Sequence, residues 1–197
     1  MASPPVPDFE DLLARLARVL RSYDLPFMLI GGQAVLLHGE PRLTQDIDVT
    51  LGVSPARLPD VLAACTALNL QVLPEDAADF VRDTFVLPVA DEATGIRVDL
   101  IFSTTPYEAE AIERAVHVEV RGEPVPFATA EDLILHKFFA GRPRDLEDVR
   151  GVVRRKGPEL DWEYMRHWAA EFALIPGRES LPVQIEQLQR EDDDEAP

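Results

Sequence analysis

The sequence has 197 residues, 36 acidic against 19 basic side chains for a formal charge of −17, and a 46% hydrophobic share. That length fits one large domain or one domain with an appendage. The hydrophobic share excludes a globally disordered chain, the single Cys65 excludes an internal disulfide framework and a cysteine zinc site, and the acid excess opposes coating of nucleic acid by bulk charge. No apolar run approaches the ~18 residues of a membrane span. Met1–Asp8 holds three prolines and no basic residue, so it does not read as a signal peptide. A reducing, cytoplasmic location is expected.

In chain order, residues 1–7 read as a disordered leader. Phe9, Leu12, Leu13, Leu16, Val19 and Leu20 recur at helical spacing and predict an amphipathic helix over Asp8–Tyr23. Phe27–Ile30 predicts a buried strand ending at the turn Gly31-Gly32, and Gln33–His38 a short helix closed by Gly39 and Pro41. Asp46–Leu51 alternates as a strand. Ser54-Pro55 opens a helix expected to run to about Leu68, with serine as cap and proline at the first helical position. Gln71–Leu73 predicts an edge strand, and Thr84–Ala90 with Ile96–Phe102 a β-hairpin across Asp91–Gly95. Pro106–Arg114 reads as a helix. Val116–Val120 and Pro124–Phe127 read as extended pieces around Arg121-Gly122. From Thr129, which caps a helix with Asp132 three residues on, only helices are predicted: to Gly141, over Pro143–Arg155, over Asp161–Phe172 and over Ser180–Arg190. The acids Glu191–Glu195 then lead an acidic tail, read as a solvated run. The organisation expected is a leader (1–7), an α/β core (8–128), a helical section (129–190) and the tail (191–197), in an α/β (α+β) class with a small mixed sheet flanked by helices.

Chemistry concentrates between Gly31 and Asp99. Alternate strand residues share a face, so Asp46 and Asp48 project together while Ile47 and Val49 fill the core. Two neighbouring carboxylates repel one another and are tolerated most easily around a cation; their hard oxygens suit Mg²⁺ or Mn²⁺. In Ile96–Phe102, Asp99 shares a face with Arg97, which could simply neutralise it. If that strand lies beside Asp46–Leu51, three carboxylates meet, enough for two metals, one activating a hydroxyl and one holding a triphosphate. Gly31-Gly32 leads from strand to helix, where glycine permits close approach and helix amides attract phosphate. Neither a Gly-x-Gly-x-x-Gly fingerprint nor a Walker A lysine motif is present.

The ordered set of a glycine pair, thirteen residues, Asp46-x-Asp48 and a later Asp99 resembles the signature of the polymerase β-like nucleotidyltransferase superfamily. Two further runs are similar to AbiEii/AbiGii-type toxin nucleotidyltransferases. One is Arg42-Leu43-Thr44-Gln45-Asp46-Ile47-Asp48. The other is the segment Glu131–Val149, a helix bearing Lys137 followed by Arg144-Asp145-Leu146-Glu147-Asp148 opening the next. The resemblance implies that Lys137 contacts a nucleotide triphosphate and that Asp145 supports the site. It also implies transfer of a nucleoside monophosphate from an NTP to a hydroxyl with release of pyrophosphate, and membership of a toxin–antitoxin or phage-defence pair with an antitoxin partner.

Blander readings stand beside these. Lys137 could be a surface helix residue, and Asp145 and Asp148 helix-start acids or partners of Arg142 and Arg144. His38 reads as structural, His136 points about 100° away from Lys137 on a helix, and Cys65 with the Trp162–Trp168 stripe reads as packing. From Lys137 to Gly157 seven bases face three acids, a local field able to steer an anion. The catalytic and metal set expected is Asp46, Asp48 and Asp99, and the nucleotide set Gly31, Gly32, Lys137 and Asp145. The acceptor is left open between tRNA, protein and small molecule, with no membrane and no extended DNA binding. The alternative is a non-catalytic nucleotide- or partner-binding module on the same fold. A metal-dependent phosphohydrolase needs a water site and usually histidine ligands, and the sequence offers no suitable histidine pair.

Overall fold

The computed structural model describes residues 8–41 and 43–195, with side chains up to Asp192. The leader expected over residues 1–7, Arg42, and the last two residues of the expected tail lie outside the described residues. The elements are α1 (Phe9–Ser22), β1 (Phe27–Ile30), α2 (Gly31–His38), β2 (Asp46–Leu51), α3 (Leu58–Leu68), β3 (Leu70–Val72), α4 (Ala77–Thr84), β4 (Val86–Asp91), β5 (Arg97–Phe102), α5 (Pro106–Arg114), β6 (Val116–Val120), β7 (Glu123–Phe127), α6 (Ala130–Ala140), α7 (Pro143–Lys156), α8 (Trp162–Phe172) and α9 (Leu181–Glu195). The chain divides into two compact units, one of residues up to Gln33 with Leu43–Phe127, the other of Ala34–Arg42 with the residues from Ala128 on. Among the described residues no helix is long and apolar enough to cross a membrane.

The first unit is a seven-stranded mixed sheet in the order β3-β4-β5-β2-β1-β7-β6. The β2–β5 and β1–β7 pairs are parallel and the others antiparallel. Ile47, Val49 and Leu51 of β2 and Val98, Leu100 and Phe102 of β5 are buried, as alternation requires when one side of a strand meets a core. α1 begins where Asp8 Oδ1 accepts from the Asp11 amide at 3.0 Å, satisfying an otherwise unpaired helix donor. Its stripe Leu12, Leu13, Leu16 and Leu20 is buried and packs on α3 and β7. Arg15 reaches from this helix to Asp91 Oδ1 at 2.7 Å. The other oxygen of Asp91 accepts from the Thr94 amide at 3.0 Å and its hydroxyl at 2.7 Å, closing the β4–β5 hairpin.

The second unit is helical around Leu133, Ile134, Leu135, Val149, Val152, Met165, Leu181 and Ile185. Asp132, 0% exposed, is more than a cap residue. One of its oxygens accepts from Thr129 Oγ1 at 2.8 Å and the other from Tyr164 Oη at 2.7 Å, joining α6 to α8. His38 Nε2 lies 2.8 Å from the Ala128 carbonyl, and burial lowers its pKa below the ordinary value; it is structural, as expected.

Three departures from the predicted elements have physical causes. α4 was not predicted. Asp76 caps it by accepting from the Asp79 amide at 2.9 Å, an Asp-x-x-Asp start signal that the many charges around it obscure. The helix expected from Ser54 begins instead with a 3-10 turn at Pro55–Arg57 before α3. α9 continues through Glu191–Glu195, where a solvated tail was expected. Gly157 explains part of this: a Cβ there would stand 1.9 Å from Asp192 Oδ1, so its absence leaves room for the last turns of the helix.

Candidate active site

The parallel pairing of β2 with β5 sets the site. Its register puts Asp46 opposite Arg97 and Asp48 opposite Asp99. Neighbouring strands are about 4.8 Å apart and residues two apart on one strand about 6.7 Å, so Asp46, Asp48 and Asp99 stand on one face within the span that side-chain rotation covers. Asp46 is exposed and Asp48 half-buried; the Asp99 side chain is 21% exposed. The strand adjacency that the three-acid reading requires is therefore present.

β1 supplies the other wall. It pairs antiparallel with β2 so that Ile30 lies opposite Asp48, and the next residue is Gly31. Gly31 has φ of +62°, and a Cβ there would fall 1.9 Å from Asp48 Oδ2. Glycine takes the left-handed turn without strain and leaves the space that the Asp48 carboxylate fills. Gly32 is equally tight, since its Cβ would lie 2.2 Å from Thr44 Oγ1. That hydroxyl donates to Asp46 Oδ1 at 3.2 Å. The role of Thr44 in orienting Asp46 was visible in the sequence only as one letter of the Arg-x-Thr-x-Asp-x-Asp run.

The acids are not gathered into a finished metal cage. Among the described residues, no three His, Cys, Asp or Glu side chains are arranged to hold an ion as they stand. Arg97 Nε donates to Asp99 Oδ1 at 2.9 Å, as the shared face predicted, and Thr44 holds Asp46. The chemistry of the donor set nevertheless fits a hard divalent cation: all oxygen, all carboxylate, on one face and partly open to water.

Lys137 and Asp145 lie in the second unit, in a cluster of their own. Lys137 Nζ donates to Asp145 Oδ1 at 2.9 Å and to Asp148 Oδ2 at 2.7 Å, with the three side chains only 8%, 8% and 6% exposed. The exposed Arg142 adds its Nε at 3.1 Å from Asp145 Oδ2. Asp148, weighed in the sequence as a helix-start acid, is thus the closer partner of the lysine. The available signal was its spacing, since residues three apart on a helix share a face. Of the histidines, His136 is half-buried, and desolvation pushes its pKa down to about 4. Burial likewise pushes the Cys65 thiol up to about 12, which leaves it inert.

Comparisons with known proteins follow the same lines. The family described as "Nucleotidyl transferase AbiEii toxin, Type IV TA system" matches residues 11–197. No curated protein matches the chain. Among solved structures, the antibiotic-resistance factor ANT(2'')-Ia is 18% identical, with a TM-score of 0.56 over 84% of this chain and 94% of its own. An antigenic nucleotidyltransferase-like protein from Paracoccidioides brasiliensis is 16% identical, with a TM-score of 0.57 over 94% of this chain and 88% of its own. The lincosamide antibiotic adenylyltransferase LnuA, bound to lincomycin, is 14% identical, with a TM-score of 0.51 over 73% of this chain and 95% of its own. At these identities the likeness establishes the fold.

Proposed function

The chain belongs to the AbiEii nucleotidyl transferase toxin family, and we propose that it transfers a nucleoside monophosphate from an NTP to an acceptor hydroxyl, dependent on Mg²⁺ or Mn²⁺. The observation that carries this reading is the β2–β5 register, which sets Asp48 against Asp99 with Asp46 beside them. Asp46, Asp48 and Asp99 would hold the divalent cation, whose chemistry is to neutralise the triphosphate and its leaving group. The acceptor oxygen attacks the α-phosphorus, the bond to the pyrophosphate oxygen breaks, and the hydroxyl proton passes to a carboxylate, assigned to Asp99. The Gly31 and Gly32 amides, at the start of α2, are assigned to the phosphates, where backbone donors and the helix dipole favour negative charge.

Nucleotide binding by Lys137 and Asp145 stays in the proposal as the resemblance implies it. A phosphate must then compete with Asp145 and Asp148 for the ammonium. A toxin role, an antitoxin partner and a cytoplasmic location belong to the same proposal, with tRNA, protein and small molecules as the acceptor classes to be tested.

The test is incubation of the full chain with each α-labelled NTP, Mg²⁺ or Mn²⁺, and pools of the three acceptor classes. Labelled product and pyrophosphate are expected from the wild type. Asp46→Asn and Asp48→Asn should lower labelling by at least about a hundredfold, the scale of removing one preorganised charge-stabilising group. Equal labelling by these variants overturns the assignment. Absence of labelling and of nucleotide binding in the wild type favours the non-catalytic module.

A further inference from the structure

Arg97 stands within the acidic face, and the catalytic reading gives it no task. It lies opposite Asp46 in the ladder and two residues from Asp99 on the same side of β5. Its Nε donates to Asp99 Oδ1 at 2.9 Å, with the arginine side chain 55% and the aspartate 21% exposed. The guanidinium therefore holds one oxygen of the carboxylate that the register places opposite Asp48. Arginine remains charged at all working pH values, so this occupancy is not relieved by titration. It is relieved by competition, because a half-exposed ion pair is held weakly and a dication attracts the same oxygens more strongly than a monocation does.

We propose that Arg97 is a positioning residue that competes with the divalent cation for Asp99 and so sets the metal affinity of the face. This rests on the metal-dependent reading above and adds to it a threshold device. Without metal, the guanidinium offsets the repulsion among Asp46, Asp48 and Asp99. A metal at Asp99 then competes with this hold on Oδ1 and with the positive charge beside it. The affinity measured for the ion is lowered by both.

Binding of Mn²⁺ alone to the full chain, read from the EPR signal of the free ion, tests this without any turnover. Arg97→Gln keeps polarity and removes charge, and should bind Mn²⁺ about five- to tenfold more tightly than the wild type. Arg97→Lys restores a cation and should return the affinity to near the wild-type value. The Mn²⁺-induced rise in melting temperature should be larger in Arg97→Gln than in the wild type, because its unbound face has lost a charge that offsets part of the repulsion. Asp48→Asn controls for the site and should lose the binding. If Arg97→Gln binds no more tightly than the wild type while Asp48→Asn loses the ion, the inference about Arg97 is overturned and the metal reading stands. If Asp48→Asn binds as the wild type does, or if the wild type binds no Mn²⁺, the metal reading falls and this inference falls with it.

Discussion

Each unit of this protein carries a cluster of acids with one basic residue at its heart, and the two differ in what surrounds them. On the β2–β5 face, Asp46, Asp48 and Asp99 stand with Arg97, which is 55% exposed and pairs with Asp99. In the helical unit, Lys137, Asp145 and Asp148 are at most 8% exposed, and Lys137 touches both acids. Burial makes the second cluster a closed set: taking charges out of water is tolerable only when each finds its partner at contact distance. The first cluster has no such requirement. Water screens its excess of acid, so like charges can stand side by side there at lower cost. The same kinds of residue thus give a closed joint in one unit and a half-exposed face in the other.

The largest effect expected of any change to this comparison comes from Lys137→Met. Removing the ammonium leaves Asp145 and Asp148 buried without their shared cation, and breaking such a set costs about 3–5 kcal/mol. Urea unfolding reads this as a lowered midpoint. Adding Asp145→Asn and Asp148→Asn to Lys137→Met should recover much of the loss, because the buried charges then go together. A Lys137→Met midpoint within the error of the wild type breaks the contrast, since the cluster would then be as tolerant as the exposed face.

A smaller effect concerns His136, beside Lys137 in α6 and half-buried. Burial holds its folded pKa at about 4 against an ordinary value of 6.5. The unfolded chain therefore takes up the proton first as pH falls. The contribution is whole above 6.5 and is lost progressively between 6.5 and about 4, amounting to about 3 kcal/mol. Unfolding free energy at pH 7 and pH 5 should differ more in the wild type than in His136→Gln. Equal pH slopes for the two place the imidazole in contact with water and remove it from the buried side of the comparison.

Most of the fold could be read from the residues, because its signals are local. Asp8, Thr129 and Asp161 cap the helices they were expected to open, and the alternation in β2 and β5 gives the right face to each acid. The strand order could not be read, since pairing is decided by contacts distant in sequence. Asp46 and Asp99 were thus linked only on the condition that their strands meet. The glycine pair was legible as a turn between strand and helix, but not that a Cβ on Gly31 would stand where the Asp48 carboxylate lies. The second cluster was the least legible. Whether Lys137 meets solvent or two carboxylates depends on how α6 packs against α7, which the shared face of Asp145 and Asp148 does not by itself report.

The smallest expected effect has the opposite sign from the others. Asp46 is exposed and shares its face with Asp48 and Asp99, so its charge works against the folded state through like-charge repulsion. Asparagine at 46 keeps an oxygen able to accept from Thr44 Oγ1, which now donates to Asp46 Oδ1 at 3.2 Å, and it removes the charge. Asp46→Asn should leave the unfolding midpoint unchanged or raise stability by about 0.5 kcal/mol in metal-free buffer, while nucleotidyl transfer is lost. A residue kept for packing shows the reverse, losing stability when its charge is removed. If Asp46→Asn lowers stability by more than about 1 kcal/mol, beyond the usual range for an exposed substitution, the carboxylate is a structural partner and the two clusters are alike. If stability holds and transfer disappears, the exposed face is maintained against its own repulsion, the physical mark of acids retained for a ligand.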